Sequence, residues 1–257
     1  MAVYSEVAGE GPVVALVHEG ICDSRMWDSQ WAAWSGSYRL LRVDLRGFGR
    51  TPLGSEPYSH ARDVIDALEE HGLERTALVG VSLGGRVALE VAVARPDLVR
   101  ALVLVAPGFP GHEWSQELRA QWDEEEAAFE AGDLDAAVEV SLRTWVDGPR
   151  RRPEDVDPEL RRRVGEMQRD AYDLQREWVD EEPLVRELGE RLGEIVAPTL
   201  VLVGDEDQPD MQAIAKRLAR EIQGARLATI PGTAHVPSME RPREFDELVL
   251  PFLEEVA

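Results

Sequence analysis

Short apolar runs recur along this chain, and stretches of helical period separate them. The runs are Val13–Val17, Arg39–Val43, Ala77–Val81, Ala101–Val105 and Thr199–Val203. Runs this short and this unbroken suit strands covered on both faces, so they predict a mainly parallel sheet. Ala225–Ile230 alternates instead, as a half-buried strand does. Apolar residues at helical spacing mark helices at about 26–35, 59–71, 85–95, 211–222 and 243–254. This alternation predicts an α/β fold with a doubly wound, mainly parallel sheet and its chemistry on loops at the carboxyl ends of the strands. Pro251 is expected to kink or end the last helix.

The strand signal vanishes between Pro110 and Ala197. Trp114, Leu118, Trp122 and Phe129 share one helical face, and so do Leu134, Val138, Leu142 and Trp145. Leu160, Val164, Met167, Ala171, Leu174 and Trp178 follow a four-three spacing. Residues 150–159 are a polar, proline-bearing connector. The pattern predicts a helical cap over 111–195, inserted into a core built from 1–110 and 196–257. A chain of 257 residues with 44% hydrophobic content accommodates one such domain with its insertion.

Composition narrows the partners. Fifty acids against 28 bases leave a net charge of −22, which disfavours nucleic acid and anionic membrane surfaces. Cys22 is the only cysteine, so an internal disulfide and a cysteine-rich metal site are excluded and a reducing compartment is expected. With no secretory leader pattern and no run of 18 apolar residues, the expected location is the cytoplasm.

The chemistry centres on Gly80-Val-Ser82-Leu-Gly84, where an apolar run passes directly into a helical pattern. G-x-S-x-G between strand and helix is the nucleophile-elbow arrangement. It holds a serine at the tip of a strained turn and needs small residues two positions away on either side. A serine nucleophile needs a base and an acid that orients the base. His235 follows the last alternating strand in the loop Pro231-Gly-Thr-Ala-His235, and Asp207 ends an acidic turn after Thr199–Val203. The order Ser82, Asp207, His235 is that of the triad in one hydrolase fold.

On these residues the chain resembles the α/β-hydrolase superfamily. The likeness rests on Leu16-Val-His-Glu-Gly20, Val43-Asp-Leu-Arg-Gly-Phe-Gly49, the elbow at Ser82, Gly204-Asp-Glu-Asp207 and Gly232-Thr-Ala-His235. Asp23-Ser-Arg-Met-Trp-Asp28 and the final loop are most similar to the 3-oxoadipate enol-lactonase-like and meta-cleavage-product-hydrolase-like group. The resemblance implies that the chain starts where the family's second strand lies. It selects Asp207 as triad acid, with Asp205 as the alternative. It also implies an oxyanion hole from the backbone N–H groups of Leu83 and Gly20, and a structural role for His18. Glu19 departs from the pattern, since the family usually has glycine there. A carboxylate beside an oxyanion opposes it unless it turns away, is protonated or is paired, with Arg25 and Arg46 as candidate partners.

The expected activity is hydrolysis of a carboxylic ester or lactone of a small apolar or aromatic substrate, through an acyl-serine intermediate and without cofactor or metal. Glu19, Ile21, Trp145 and Trp178 are candidate pocket residues. C–C bond hydrolysis of a vinylogous diketone and metal-free haloperoxidase or perhydrolase chemistry use the same constellation. A non-catalytic hydrolase-fold binding protein is the alternative of another class, and Glu19 is the feature that favours it. His60, His71 and His112 have no second ligand at metal spacing and are expected to be exposed. The protein is expected to be a monomer or homodimer.

Overall fold

A computed structural model describes residues 2–177 and 179–257. Its centre is a seven-stranded sheet of β1 (Tyr4–Ala8), β2 (Val13–Val17), β3 (Arg39–Asp44), β4 (Thr76–Val81), β5 (Val99–Val105), β6 (Thr199–Gly204) and β7 (Arg226–Ile230). The spatial order is β1-β3-β2-β4-β5-β6-β7, with β1 antiparallel to β3 and every other pairing parallel. All residues of β4 and β6 are buried, as the unbroken apolar runs require, whereas the alternating β7 is mostly exposed at the edge.

The pleat sends successive side chains to opposite faces and so divides the core. Ala15, Val17, Leu102 and Leu104 join one apolar cluster with α2 (His60–Glu70), α3 (Leu83–Ala94) and α7 (Pro209–Glu221). Val14, Leu16, Ala101 and Val103 join the other with α1 (Asp28–Trp34) and α9 (Pro242–Glu255). Each Val or Leu buried in this way contributes roughly 1.5–3 kcal/mol. That sum is what holds two helical layers on one sheet, and the doubly wound α/β fold expected from the sequence is the one observed.

Among the described residues three α-helices lie between β5 and β6: α4 (Gln116–Glu130), α5 (Leu134–Ser141) and α6 (Pro158–Leu174). Asp157 caps α6 by accepting from Glu159 N–H, and Pro158 takes the first position, where its missing N–H costs nothing. Leu160, Val164, Met167 and Ala171 are buried as their spacing predicts. The helix ends at Leu174, so the stripe does not continue as helix to Trp178, which lies outside the described residues. A π-helical turn, Leu142–Asp147, extends α5. The short α8 (Pro237–Glu240) precedes α9. Pro251 does not end α9, which runs on to Glu255 with the proline on its exposed side. Burial of Val249, Phe252 and Leu253 offsets the one backbone bond the proline removes. Among the described residues no helix is long and apolar enough to cross a membrane.

Candidate active site

β4 ends at Val81 and α3 begins at Leu83, which leaves Ser82 alone in the turn with φ +48° and ψ −109°. A positive φ at a residue with a Cβ costs on the order of 1–3 kcal/mol and persists only where the surroundings enforce it. Here three backbone bonds do so. Ser82 N–H donates to the Val105 carbonyl at 2.9 Å, and the Ser82 carbonyl accepts from Arg86 N–H at 3.0 Å and Gly108 N–H at 2.9 Å. A Cβ on Gly80 would lie 2.2 Å from the Gly84 carbonyl oxygen, and one on Gly84 would lie 2.2 Å from that of Val17. Both glycines of the G-x-S-x-G pattern are therefore required by close backbone approach.

The loops after β6 and β7 meet at the carboxyl end of the same parallel strands. Gly204 permits the meeting, because a Cβ there would stand 2.1 Å from the Thr233 carbonyl oxygen. Asp207 and His235 are both buried, and His235 Nδ1 lies 2.9 Å from Asp207 Oδ2. The other oxygen of Asp207 accepts Gln208 N–H at 2.7 Å. A carboxylate can only accept, so Nδ1 carries a proton and the neutral ring keeps its lone pair on Nε2. Asp205 is exposed and turns to Gly232 N–H at 2.6 Å, away from the imidazole. Ser82 Oγ and His235 Nε2 are not hydrogen-bonded to each other.

His18 organises the loop after β2. Its Nε2 accepts Leu45 N–H at 2.9 Å, so Nδ1 bears the proton and donates to the Glu19 carbonyl at 2.7 Å. Burial holds this ring below its ordinary value, and it stays neutral. Fixing the Glu19 carbonyl also fixes the planar 19–20 peptide, whose N–H belongs to Gly20 and points the opposite way. Gly20 faces Leu83, with 3.9 Å between a Cβ built there and the Leu83 Cβ. Leu83, as the first residue of α3, has no intrahelical acceptor for its N–H. Ile21 is buried in the apolar cluster of α1 and α9 and does not line the cavity described below.

Glu19 is 1% exposed. Neither Arg25, paired with Asp23 and Asp170, nor Arg46, paired with Asp63, neutralises it as the sequence suggested. Instead Oε1 accepts the Cys22 thiol at 3.1 Å and Oε2 lies 3.7 Å from His235 Nε2. Burial pushes the Glu19 carboxyl up to about 7; His235 and the thiol pull it back, and Asp207 adds to the rise. Burial, then Glu19, also holds the Cys22 thiol well above its usual range. For His235 burial opposes the charge, but Asp207 and Glu19 outweigh it and raise the imidazole above its ordinary value.

Trp145 leaves the π-helical turn and lays its ring on His235, centroids 4.5 Å apart, while its carbonyl accepts His235 N–H at 3.1 Å. With Leu83 it lines a cavity of about 740 Å³ in which the aromatic rings of Phe48, Trp122, Phe129 and Tyr172 face a charged side that includes Arg46, Glu125, Glu126 and Glu181; Glu19, expected as a pocket residue, does not line it. Trp122 and Phe129 lie on the apolar stripe of α4, where spacing alone does not separate a cavity wall from a core.

The remaining histidines are not exposed as expected. His60 is buried beside Tyr58 and lines the same cavity. Burial, with the charges of Arg86 and Arg46, holds it well below its ordinary value. His71 is half-buried against Ser5 Oγ, and His112 is half-buried against Asp210. Their helices and loops pack onto neighbours that single-residue polarity does not reveal. Among the described residues no group of three or more His, Cys, Asp or Glu is placed to hold a metal ion.

Residues 14–248 match the family described as the alpha/beta hydrolase family. The chain is 29% identical over 263 residues to a pimeloyl-[acyl-carrier protein] methyl ester esterase of Nitrosospira multiformis, covering 95% of each. It superposes on an N-acyl homoserine lactone degrading enzyme with TM-score 0.79 and 26% identity, covering 97% of this chain and 96% of that one. It also superposes on the enol-lactonase of Burkholderia xenovorans with TM-score 0.81 and 23% identity, covering 98% and 96%, a likeness of fold.

Proposed function

From its membership of the alpha/beta hydrolase family, to which this chain belongs, we propose that it hydrolyses a carboxylic ester or lactone through an acyl-serine intermediate. The observation that carries this reading is the buried 2.9 Å contact of His235 Nδ1 with Asp207 Oδ2, at the same end of the sheet as a serine at positive φ. Ser82 Oγ attacks the carbonyl and gives its proton to His235 Nε2. Asp207 keeps the other ring nitrogen protonated and stabilises the imidazolium. The oxyanion lies against the N–H groups of Leu83 and Gly20, at the N-terminus of α3, whose dipole favours negative charge. His235 returns the proton to the leaving alkoxide. It then deprotonates the water that attacks the acyl-serine, and Ser82 is regenerated.

In this reading residues 111–195 act as a cap on a core of 1–110 and 196–257. The aromatic wall of the cavity suits a small substrate with an apolar or aromatic body. Similarity to an esterase and to a lactone-degrading enzyme supports the bond class. A second reading, a binding protein without turnover, is favoured by Glu19, whose carboxyl faces His235 Nε2.

The test is turnover of short and medium p-nitrophenyl esters by wild type and Ser82→Ala, with mass spectrometry after fluorophosphonate treatment. Loss of several orders of magnitude in the variant, and one adduct on Ser82 in the wild type, is the expected result. Retained turnover in Ser82→Ala removes the acyl-serine mechanism. Absence of both turnover and adduct promotes the binding protein.

A further inference from the structure

His235 is held between two carboxyl groups, one at each ring nitrogen. Asp207 takes Nδ1 at 2.9 Å, and Glu19 Oε2 stands 3.7 Å from Nε2, the nitrogen that must receive the Ser82 proton. Among the described residues no arginine or lysine forms an ion pair with Glu19, so its only countercharge is the imidazolium itself. We propose that Glu19 is a positioning residue acting through His235, and that the reactive form of the site carries one proton on the Glu19 carboxyl and a neutral imidazole. This rests on the serine-hydrolase reading above and adds to it the proton that decides when Nε2 is free.

The proton count defines three states. With two protons on the pair, Glu19 is neutral but His235 is imidazolium, and Ser82 has no base. With one proton, the site exchanges between a carboxylate–imidazolium pair, again without a base, and the neutral pair, in which Nε2 is open to Ser82. With no proton, the imidazole is neutral but an unpaired carboxylate lies in the loop that supplies the oxyanion donor Gly20, and it opposes the charge that forms there. Activity is therefore confined between two titrations, and both depend on Glu19.

The surroundings raise both titrations. Burial pushes Glu19 up to about 7, and Asp207 and Glu19 hold His235 above its ordinary value. The groups facing the pair are few. Asp207 comes from the loop after β6. The Cys22 thiol comes from the loop of Glu19 itself and stays protonated, because burial raises it. His18, behind the Glu19 carbonyl, is neutral with both ring nitrogens bonded. The N-terminus of α3 lies on the Ser82 side, and the uncharged Trp145 ring covers the imidazole face.

The experiment compares wild type with Glu19→Gln and Glu19→Gly. The imidazole titration of His235 is followed by NMR, and kcat/KM is followed from pH 5 to 10. Removing the charge at Nε2 should lower the His235 titration by about one pH unit or more. The acid limb of kcat/KM should move down with it, and the alkaline limb expected of the wild type should disappear. Unchanged His235 titration in both variants overturns the proposal, whatever happens to the rate. A lower kcat with unmoved limbs assigns Glu19 a packing role only. Ser82→Ala separates the two readings. If that variant keeps full turnover, the serine mechanism fails; if it is inactive and the limbs do not move, only the role of Glu19 falls. Should Glu19→Gln fold poorly, Glu19→Gly restores the small residue and removes the same charge.

Discussion

Asp207→Asn tests the orientation of His235 directly, because the hydrogen bonds around Asp207 dictate how the amide must sit. Oδ1 accepts Gln208 N–H at 2.7 Å, and a backbone N–H cannot be turned away from a buried loop without loss. The amide oxygen of the variant therefore stays with Gln208, and the NH₂ group takes the place of Oδ2, 2.9 Å from His235 Nδ1. A donor at that place forces Nδ1 to accept, which moves the ring proton to Nε2. The nitrogen facing Ser82 then has no lone pair. With geometry intact and the tautomer inverted, the expected loss in kcat is about 10⁴-fold, or roughly 5–6 kcal/mol of barrier. Asp205→Asn is the control. Its carboxylate is exposed and accepts only from Gly232 N–H, so its effect on kcat should stay within about threefold, in line with ordinary surface substitutions. The assay is steady-state hydrolysis of a p-nitrophenyl ester at pH 8, with thermal denaturation of each variant to exclude misfolding. Asp207→Asn within tenfold of wild type, or a larger loss in Asp205→Asn, would refute the assignment.

Two further outcomes concern the folded state. Gly84→Ala places a Cβ 2.2 Å from the Val17 carbonyl oxygen and 2.6 Å from that of His18, backbone atoms at the end of β2 and the start of the loop that follows it. It should destabilise by about 3 kcal/mol or more, a Tm fall of roughly 6–10 °C in a thermal melt. A melt within about 2 °C of wild type would mean the elbow relaxes freely. The second outcome is the pH dependence of stability. Glu19 titrates at about 7 when folded against an ordinary 4.5, so its contribution is fully present below 4.5 and is lost as pH rises through 7. The loss corresponds to about 3 kcal/mol, and between pH 5 and 8 wild type should lose roughly 6 °C more in Tm than Glu19→Gln. Parallel melting curves for the two proteins across that range would contradict a Glu19 carboxyl raised by burial.

The elements that local pattern governs were legible in the chain. Unbroken apolar runs marked the buried strands because a strand covered on both faces has no polar positions to spare. The passage from Ala77–Val81 through Gly-x-Ser-x-Gly into a helical period marked the elbow because its chemistry is contained within a few residues. The α6 stripe was also legible, although its end was not. Where the periodicity ran on toward Trp178 the helix stops at Leu174, since spacing does not record where a chain turns away. Pro251 shows the opposite error. A local rule stopped the helix, and burial of its neighbours outweighed that rule.

By itself the sequence determined the six parallel strands of the sheet, its two helical layers, the inserted helices and the residue types able to do acyl chemistry. Each of these depends on neighbours in the chain or on a short period. Only the tertiary structure brings Asp207 to His235 and turns Asp205 to Gly232 N–H, because both lie in one acidic turn and their partners depend on how the loops after β6 and β7 cross. It also decided what Glu19 meets. The sequence offered arginines, whose charge is visible in composition, but they are engaged by other acids. The group that faces Glu19 is an imidazole 216 positions away along the chain, brought to 3.7 Å by the sheet. Charge is a property of a residue, whereas pairing depends on distance, and distances between loops are fixed only when the strands beneath them are assembled.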